Sequence, residues 1–149
     1  MTDTLVVRPV TAADVTVWRA MWQDYLAFYH TTLPEAVYRA TFARVVAGGD
    51  GMHGRIAERG GQALGLVHFL YHPTCWKTGP VCYLQDIYTV PSARGQGVAR
   101  ALMQAVFTAA DAAGAPDVYW LTAENNYPGR MLYDQLGVKT AFIEYNRAT

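Results

Sequence analysis

The stretch Val81 to Met103 reads VCYLQDIYTVPSARGQGVARALM, and its residue types could grip a phosphate. A β-type segment from Val81 to Val90 meets Pro91, and Arg94-Gly95-Gln96-Gly97-Val98-Ala99 then opens a helical pattern. Glycines at 95 and 97 let the backbone approach an anion closely. The N–H groups at a helix start and the helix dipole favour negative charge there. The turn lacks the Gly-Lys-Ser/Thr of a Walker loop and the third glycine of a dinucleotide fingerprint. The plainer alternative is a strand-to-helix turn that uses glycine for geometry alone.

The context of that turn carries a resemblance. Arg94-x-x-Gly97-x-Ala99, preceded by Asp86-Ile87-Tyr88-Thr89-Val90-Pro91, resembles the acetyl-CoA signature of the GCN5-related N-acetyltransferases (the GNAT superfamily). A second block, Trp120-Leu121-Thr122-Ala123-Glu124-Asn125-Asn126-Tyr127-Pro128-Gly129-Arg130-Met131-Leu132-Tyr133-Asp134-Gln135-Leu136-Gly137, is similar to that family's strand, Asn, Leu-Tyr helix and Gly. The blocks stand in the family's order and at its usual separation. The resemblance extends over nearly the whole chain, most clearly from Leu64 to Tyr145. It is nearest to the polyamine/diamine and histone/D-amino-acid acetyltransferase-like branch. It implies a mixed α/β, α+β-like fold in one domain, residues 1–149. The expected core is a central, mostly antiparallel twisted sheet of six or seven strands flanked by about four helices.

The implied reaction moves an acetyl group from acetyl-CoA to a primary amine, that of a small molecule such as a polyamine, amino acid or related amine. The amine must be neutral to attack, the carbonyl oxygen needs donors, and the leaving thiolate needs a proton or a hydrogen bond. A thioester is already activated, so no covalent enzyme intermediate is required. No recognisable Ser-His-Asp or Cys-His pattern is present. By resemblance, Arg94, Gly95, Gln96, Gly97, Val98, Ala99 and Arg100 cradle the pyrophosphate. The backbone of Ile87, Tyr88 and Thr89 pairs with the pantetheine arm as if it were an added strand. That slot requires the strand at 81–90 to splay from the strand at 118–122. Asn126 matches the family's pantetheine-contacting Asn. Tyr133 matches its general acid, a phenol whose pKa lies near that of the leaving thiol. An isolated Leu-Tyr would otherwise be a half-buried helix aromatic.

Three residues compete for the base. Asp86 is a base, an amine anchor or a structural carboxylate that satisfies backbone N–H groups. Glu124 is a second candidate and His72 a third. The resembling branch commonly has Glu-Asp where this chain has Gln85-Asp86, and Gln85 can orient a water or the acceptor without taking a proton. Trp18, Trp22, Tyr25, Phe28 and Tyr29 make an unusually aromatic first helix. They are core, or some of them, chiefly Trp22, Tyr25 and Tyr29, line an acceptor pocket that holds an ammonium by cation–π contact.

Composition narrows the class. With 149 residues, 52% of them hydrophobic, the chain can bury a real core and is unlike disordered sequences. No apolar run spans a bilayer and no secretory pattern precedes the first strand, so a cytoplasmic protein off the membrane is expected. Twelve basic residues balance twelve acidic ones, and Lys77 and Lys139 are the only lysines. Without a basic stripe, nucleic acid is not an expected partner. His68, His72, Cys75 and Cys82 lie within fifteen residues, but their spacing matches no standard zinc pattern, and no metal is expected.

The elements that must position these groups are read from periodicity. Strands are expected at 5–10, 53–59, 63–71, 81–90, 118–122 and 138–145, with a hairpin turn at Arg59-Gly60-Gly61-Gln62. A capping-box-like Thr11-Ala12-Ala13-Asp14 opens the first helix, and Pro34-Glu35 the second. Helices are expected at 98–113 and 128–135, the latter capped by Gly137. The family often pairs through C-terminal strands, and Ala141-Phe142-Ile143-Glu144-Tyr145 suits a homodimer or a closing strand. Two alternatives to the small-amine enzyme stay open: a protein lysine or N-terminal acetyltransferase, and a non-catalytic acyl-CoA-binding module that needs neither Tyr133 nor a base.

Overall fold

The computed structural model describes residues 4–149. Five strands form one sheet in the order β1 (Val6–Pro9), β2 (Met52–Arg59), β3 (Gln62–His72), β4 (Val81–Thr89) and β5 (Val118–Tyr119). The first four pair antiparallel and β4 pairs β5 in parallel. Two residues, Gly60 and Gly61, connect β2 to β3, and both have positive φ (57° and 77°). That is the backbone a tight hairpin turn demands and glycine supplies.

Four α-helices cover the sheet. On one face, α1 (Val15–Phe28) and α2 (Glu35–Ala47) bury Trp18, Met21, Trp22, Leu26, Tyr38 and Val45 over Ile56 and Leu66. On the other, α3 (Val98–Ala112) buries Val98, Leu102, Met103, Val106 and Ala110 against Val67, Phe69, Cys82 and Leu84. The last helix, α4 (Tyr127–Leu136), packs Leu132, Tyr133 and Leu136 at the edge of this second core. Alternate residues of the strands feed alternate faces, as a pleated strand requires. The start of α1 is braced as expected: the Thr11 N–H donates to Asp14 Oδ2 at 2.7 Å. Arg8 grips the same carboxylate through both terminal nitrogens, at 2.8 and 2.9 Å.

Three sequence expectations need correction. The sheet has five strands rather than six or seven. Segment 138–149 forms no strand among the described residues, and Phe142, Ile143 and Tyr145 are exposed. The reason lies next door: β5 stops at Tyr119 instead of 122, because the chain then leaves the sheet to seat Trp120 against Phe107 and Tyr133. An edge two residues long gives 138–145 nothing to pair with. Gly137 does cap α4, its N–H donating to the Tyr133 carbonyl at 2.8 Å, with an extended backbone (φ −148°). Its missing side chain makes room for the Trp120 ring, which would lie 2.7 Å from a Cβ there.

Candidate active site

The first group of candidate residues begins where β4 and β5 part. They pair only through Cys82↔Val118 and Tyr83↔Tyr119. Beyond that point β4 follows β3 to Thr89, so its other edge is left open over 84–89. This is the splay that a backbone-paired ligand needs. The chain then passes through a short 3₁₀ turn at Pro91–Ala93 into the glycine turn. Gly95 and Gly97 have φ of 74° and 83°, and Gly97 is the N-cap of α3. A Cβ on either would meet nothing within 4 Å. Conformation therefore demands glycine, and the turn is open on its ligand side. The first N–H groups of α3 have no intrahelical partners and face that space. Gln96 holds the turn in shape: it accepts from Arg59 at 2.9 Å and donates to the Ser92 carbonyl at 3.1 Å. Arg100 donates to Gln135, tying the start of α3 to α4.

Helix α4 presents Tyr133 on this side. Its ring packs edge-on against Trp120 with centroids 5.8 Å apart. Burial pushes the phenol pKa up, and Tyr29 adds to the shift, so the hydroxyl stays a proton donor at neutral pH. Asn126 caps the helix, accepting from the Gly129 N–H at 3.4 Å and donating to Thr122 at 2.9 Å. Tyr133 and Glu124 line one cleft of about 790 Å³ between α4, the chain after β5 and segment 136–144. Asp86 is not among its lining residues.

A second group of the candidate residues lies on the α1 face of the sheet. Opposite His68 is Asp86, and opposite Phe69 is Leu84, so Gln85 is the extra residue of a β-bulge. The bulge re-aims Asp86 toward α1 and leaves Gln85 exposed. Asp86 Oδ2 lies 3.1 Å from His68 Nδ1, and the Trp18 indole N–H donates to His68 Nε2 at 2.9 Å. Trp22 meets the His68 ring edge-on at 4.8 Å and stacks on Tyr25 at 5.1 Å, and Tyr25 reaches Tyr29 at 5.1 Å. The Tyr25 phenol is held far above its ordinary pKa, first by burial and then by the Asp86 carboxylate beside it. The Trp22 indole nitrogen is buried without a hydrogen-bond partner. A second aromatic wall stands nearby, where Tyr83 stacks on Tyr119 at 4.8 Å. His72 is engaged there: its Nδ1 donates to the Pro73 carbonyl and its Nε2 accepts from the Tyr119 hydroxyl, both at 2.8 Å.

The structure thus gathers Trp22, Tyr25, Tyr29 and Asp86 in one aromatic cluster, with Tyr29 close enough to Tyr133 to affect it. Glu124 is not part of this group and lines the α4 cleft together with Tyr133. Of the apolar first helix, Trp18 and Trp22 are buried, Tyr25 is half-buried, and Phe28 and Tyr29 are exposed. The four His and Cys residues of 68–82 separate: Cys82 is buried in the α3-side core, which pushes its thiol up to about 11, while His68 lies on the opposite face. Sequence reasoning considered His68 only as a metal ligand. Its pairing with Asp86 depends on strand register and on the bulge, neither of which has a local signature; only Trp18 on the facing helix hinted at a partner.

Comparisons with known proteins show the family and the fold. The sequence model of the acetyltransferase (GNAT) family matches residues 18–138. A D-amino-acid N-acetyltransferase of Saccharomyces cerevisiae is 35% identical over 147 residues, which cover 97% of this chain and 91% of that one. The aminoglycoside acetyltransferase AAC(6')-Iy, solved with the bisubstrate analogue CoA-S-monomethyl-acetylneamine, has the same fold: TM-score 0.85 at 20% identity over 98% of this chain and 99% of that one. A ribosomal-protein-alanine N-acetyltransferase from Brucella melitensis superposes with a TM-score of 0.79 at 17% identity, over 98% of this chain and all of the other.

Proposed function

This chain belongs to the acetyltransferase (GNAT) family and is an acetyl-CoA-dependent N-acetyltransferase, and from that premise we propose that it acetylates the primary amine of a small molecule, with Tyr133 as general acid. The observation that carries this reading is the arrangement about the β4–β5 opening: the glycine turn at one end, Tyr133 on α4 beside it, and a carboxylate in an aromatic cluster on the adjoining face.

The residues fit the cosubstrate. Gly95, Gln96, Gly97, Val98, Ala99 and Arg100 offer the oriented N–H groups of a helix start to the pyrophosphate, with Arg94 beside them. Ile87, Tyr88 and Thr89 offer the open edge of β4 to the amide-bearing arm. Asn126 lies at the far lip, although its side chain already caps α4. Asp86 takes the acceptor's ammonium, and Trp22, Tyr25 and Tyr29 surround it by cation–π contact; Gln85 at the bulge orients the rest of the acceptor. Glu124, which shares a cleft with Tyr133 but lies apart from the aromatic residues of α1, is the alternative base. Once the ammonium has lost its proton to Asp86 or to a water that Asp86 orients, the amine nitrogen forms a bond to the acetyl carbon. The carbon–sulfur bond breaks, the Tyr133 hydroxyl gives its proton to the sulfur, and the second proton of the acylated nitrogen leaves to restore the tyrosinate, giving the neutral amide and free thiol.

The relative's D-amino acids are the first acceptors to try, with polyamines and aminoglycosides beside them. The same reading has the enzyme working in the cytoplasm, with Cys75 and Cys82 as thiols. It also has a second copy pairing with exposed segment 138–145 beside β5. Amine-dependent release of free thiol from acetyl-CoA tests the activity. Release that depends on an amine supports it, and tight acetyl-CoA binding with no release across the acceptors would make the chain a binding module.

A further inference from the structure

The His68 bridge stands apart from the family's acetyl-transfer parts, and its atoms admit only one arrangement. The Trp18 indole nitrogen can only donate, so His68 Nε2 must accept. The hydrogen of a neutral imidazole then sits on Nδ1, and Nδ1 faces Asp86 Oδ2 at 3.1 Å. Asp86 must accept that bond, which is the role of an ionised carboxylate. An imidazolium would set a second N–H against the Trp18 N–H. The bridge is sealed: Trp18 is 1% exposed and His68 4%, and Trp22 closes over the imidazole.

We infer that His68 is a positioning residue for the acetyl-acceptor site: Trp18 locks it as the neutral Nδ1–H tautomer, and in that form it fixes the Asp86 carboxylate without cancelling its charge. A lysine or arginine at position 68 would pair with Asp86 and compete with the incoming ammonium. An asparagine or glutamine could not span from a donor on one side to an acceptor on the other, since its polar atoms branch from a single carbon. Neutral imidazole has the needed polarity, an acceptor at one end and a donor at the other. The bulge at Gln85 sets Asp86 opposite His68, where its Oδ2 meets Nδ1 while the carboxylate also lies beside Tyr25. The inference rests on the reading of Asp86 as the acceptor's carboxylate.

Two measurements test it. The first is a long-range 1H–15N correlation on the protein with labelled histidine, at pH 7, with His68 assigned by loss of its signals in His68→Asn. The expected pattern is a hydrogen-bearing Nδ1 and a bare Nε2, blurred or reversed in Trp18→Phe. An Nε2–H tautomer or an imidazolium in the wild type would overturn the lock. The second compares His68→Asn, whose amide nitrogen overlays Nδ1 and can still donate to Asp86, with His68→Gln, whose amide reaches the Nε2 position and satisfies Trp18 alone. Acetyl-CoA affinity and melting temperature serve as folding controls. Loss of a hydrogen bond to a charged group is worth about ten- to hundredfold. The expected kcat/KM for the amine therefore falls by about that factor in His68→Gln, and stays within about threefold of wild type in His68→Asn. Equal losses in the two variants would make His68 a packing residue only. Asp86→Asn at full activity would instead overturn the reading of Asp86, a separate failure from a wrong tautomer.

Discussion

Tyr133 and Asp86 approach the proposed reaction from opposite sides, and each is set by its surroundings rather than by its type. Burial against Trp120 raises the Tyr133 phenol. Because the protonated form is the neutral one, a raised pKa keeps the acid loaded at neutral pH, and ionisation of this group removes activity only above the ordinary phenol range. Tyr133→Phe keeps the ring packing and removes the donor. The expected result is a fall in kcat of about 10²–10⁴-fold with acetyl-CoA affinity unchanged, read by turnover and by calorimetric titration. Tyr133 stood out in the sequence because its block, Asn126 to Gly137, is contiguous. The His68–Asp86–Trp18 bridge was not, because it joins three elements far apart in the chain, and a sequence lists His68 beside Cys75 and Cys82 rather than beside its true neighbours.

At the scale of elements, two junctions carry the site. The first is the β4–α3 turn. Gly97 sits at φ 83° with open space about it, so Gly97→Ala meets only the cost of a left-handed backbone, about 1–2 kcal/mol. The variant is expected to melt a few degrees lower and to show a raised KM for acetyl-CoA. Gly65 acts differently. A Cβ there would lie 2.7 Å from Val98 and 2.9 Å from the Tyr88 carbonyl, so this glycine sets how closely the start of α3 approaches the sheet. Gly65→Ala is expected to cost about 1–3 kcal/mol in urea unfolding. The second junction is β1–α1, where Arg8 holds the Asp14 carboxyl down to about 2, from an ordinary value of 3.8. A depressed carboxylate stabilises the fold above its unfolded pKa, and that stability is lost as pH falls through about 4 to 2. It amounts to about 2 kcal/mol. Asp14→Asn should therefore flatten the acid arm of a melting-temperature profile in that window; an unchanged arm would assign it to other carboxylates. Both junctions were visible as turn and capping patterns. The bulge was not, because an extra residue in one strand shows only once its partner strand is in register.

For the whole molecule, the sequence carried the layered mixed fold, the four helices and the order of the first four strands, since each has its own periodicity and punctuation. It overstated the far edge. Segment 138–145 carries the apolar and aromatic residues of a strand, but the two-residue β5 gives it no ladder, and Phe142, Ile143 and Tyr145 stay exposed. The proposed pairing of two copies gives those residues a partner. Sedimentation equilibrium is expected to find a dimer that Phe142→Asp with Ile143→Asp converts to a monomer, with acetyl-CoA binding retained. A monomeric wild type at tens of micromolar would refute the pairing.

The central claim, amine acetylation with Tyr133 as acid, is tested most directly by free-thiol release from acetyl-CoA. The acceptors would be D- and L-amino acids, polyamines, aminoglycosides and a lysine peptide, with Tyr133→Phe run in parallel. The account expects release that depends on a small amine and collapses in the variant, while the variant still binds acetyl-CoA. Release that proceeds equally well in Tyr133→Phe, or that only the peptide elicits, would contradict it.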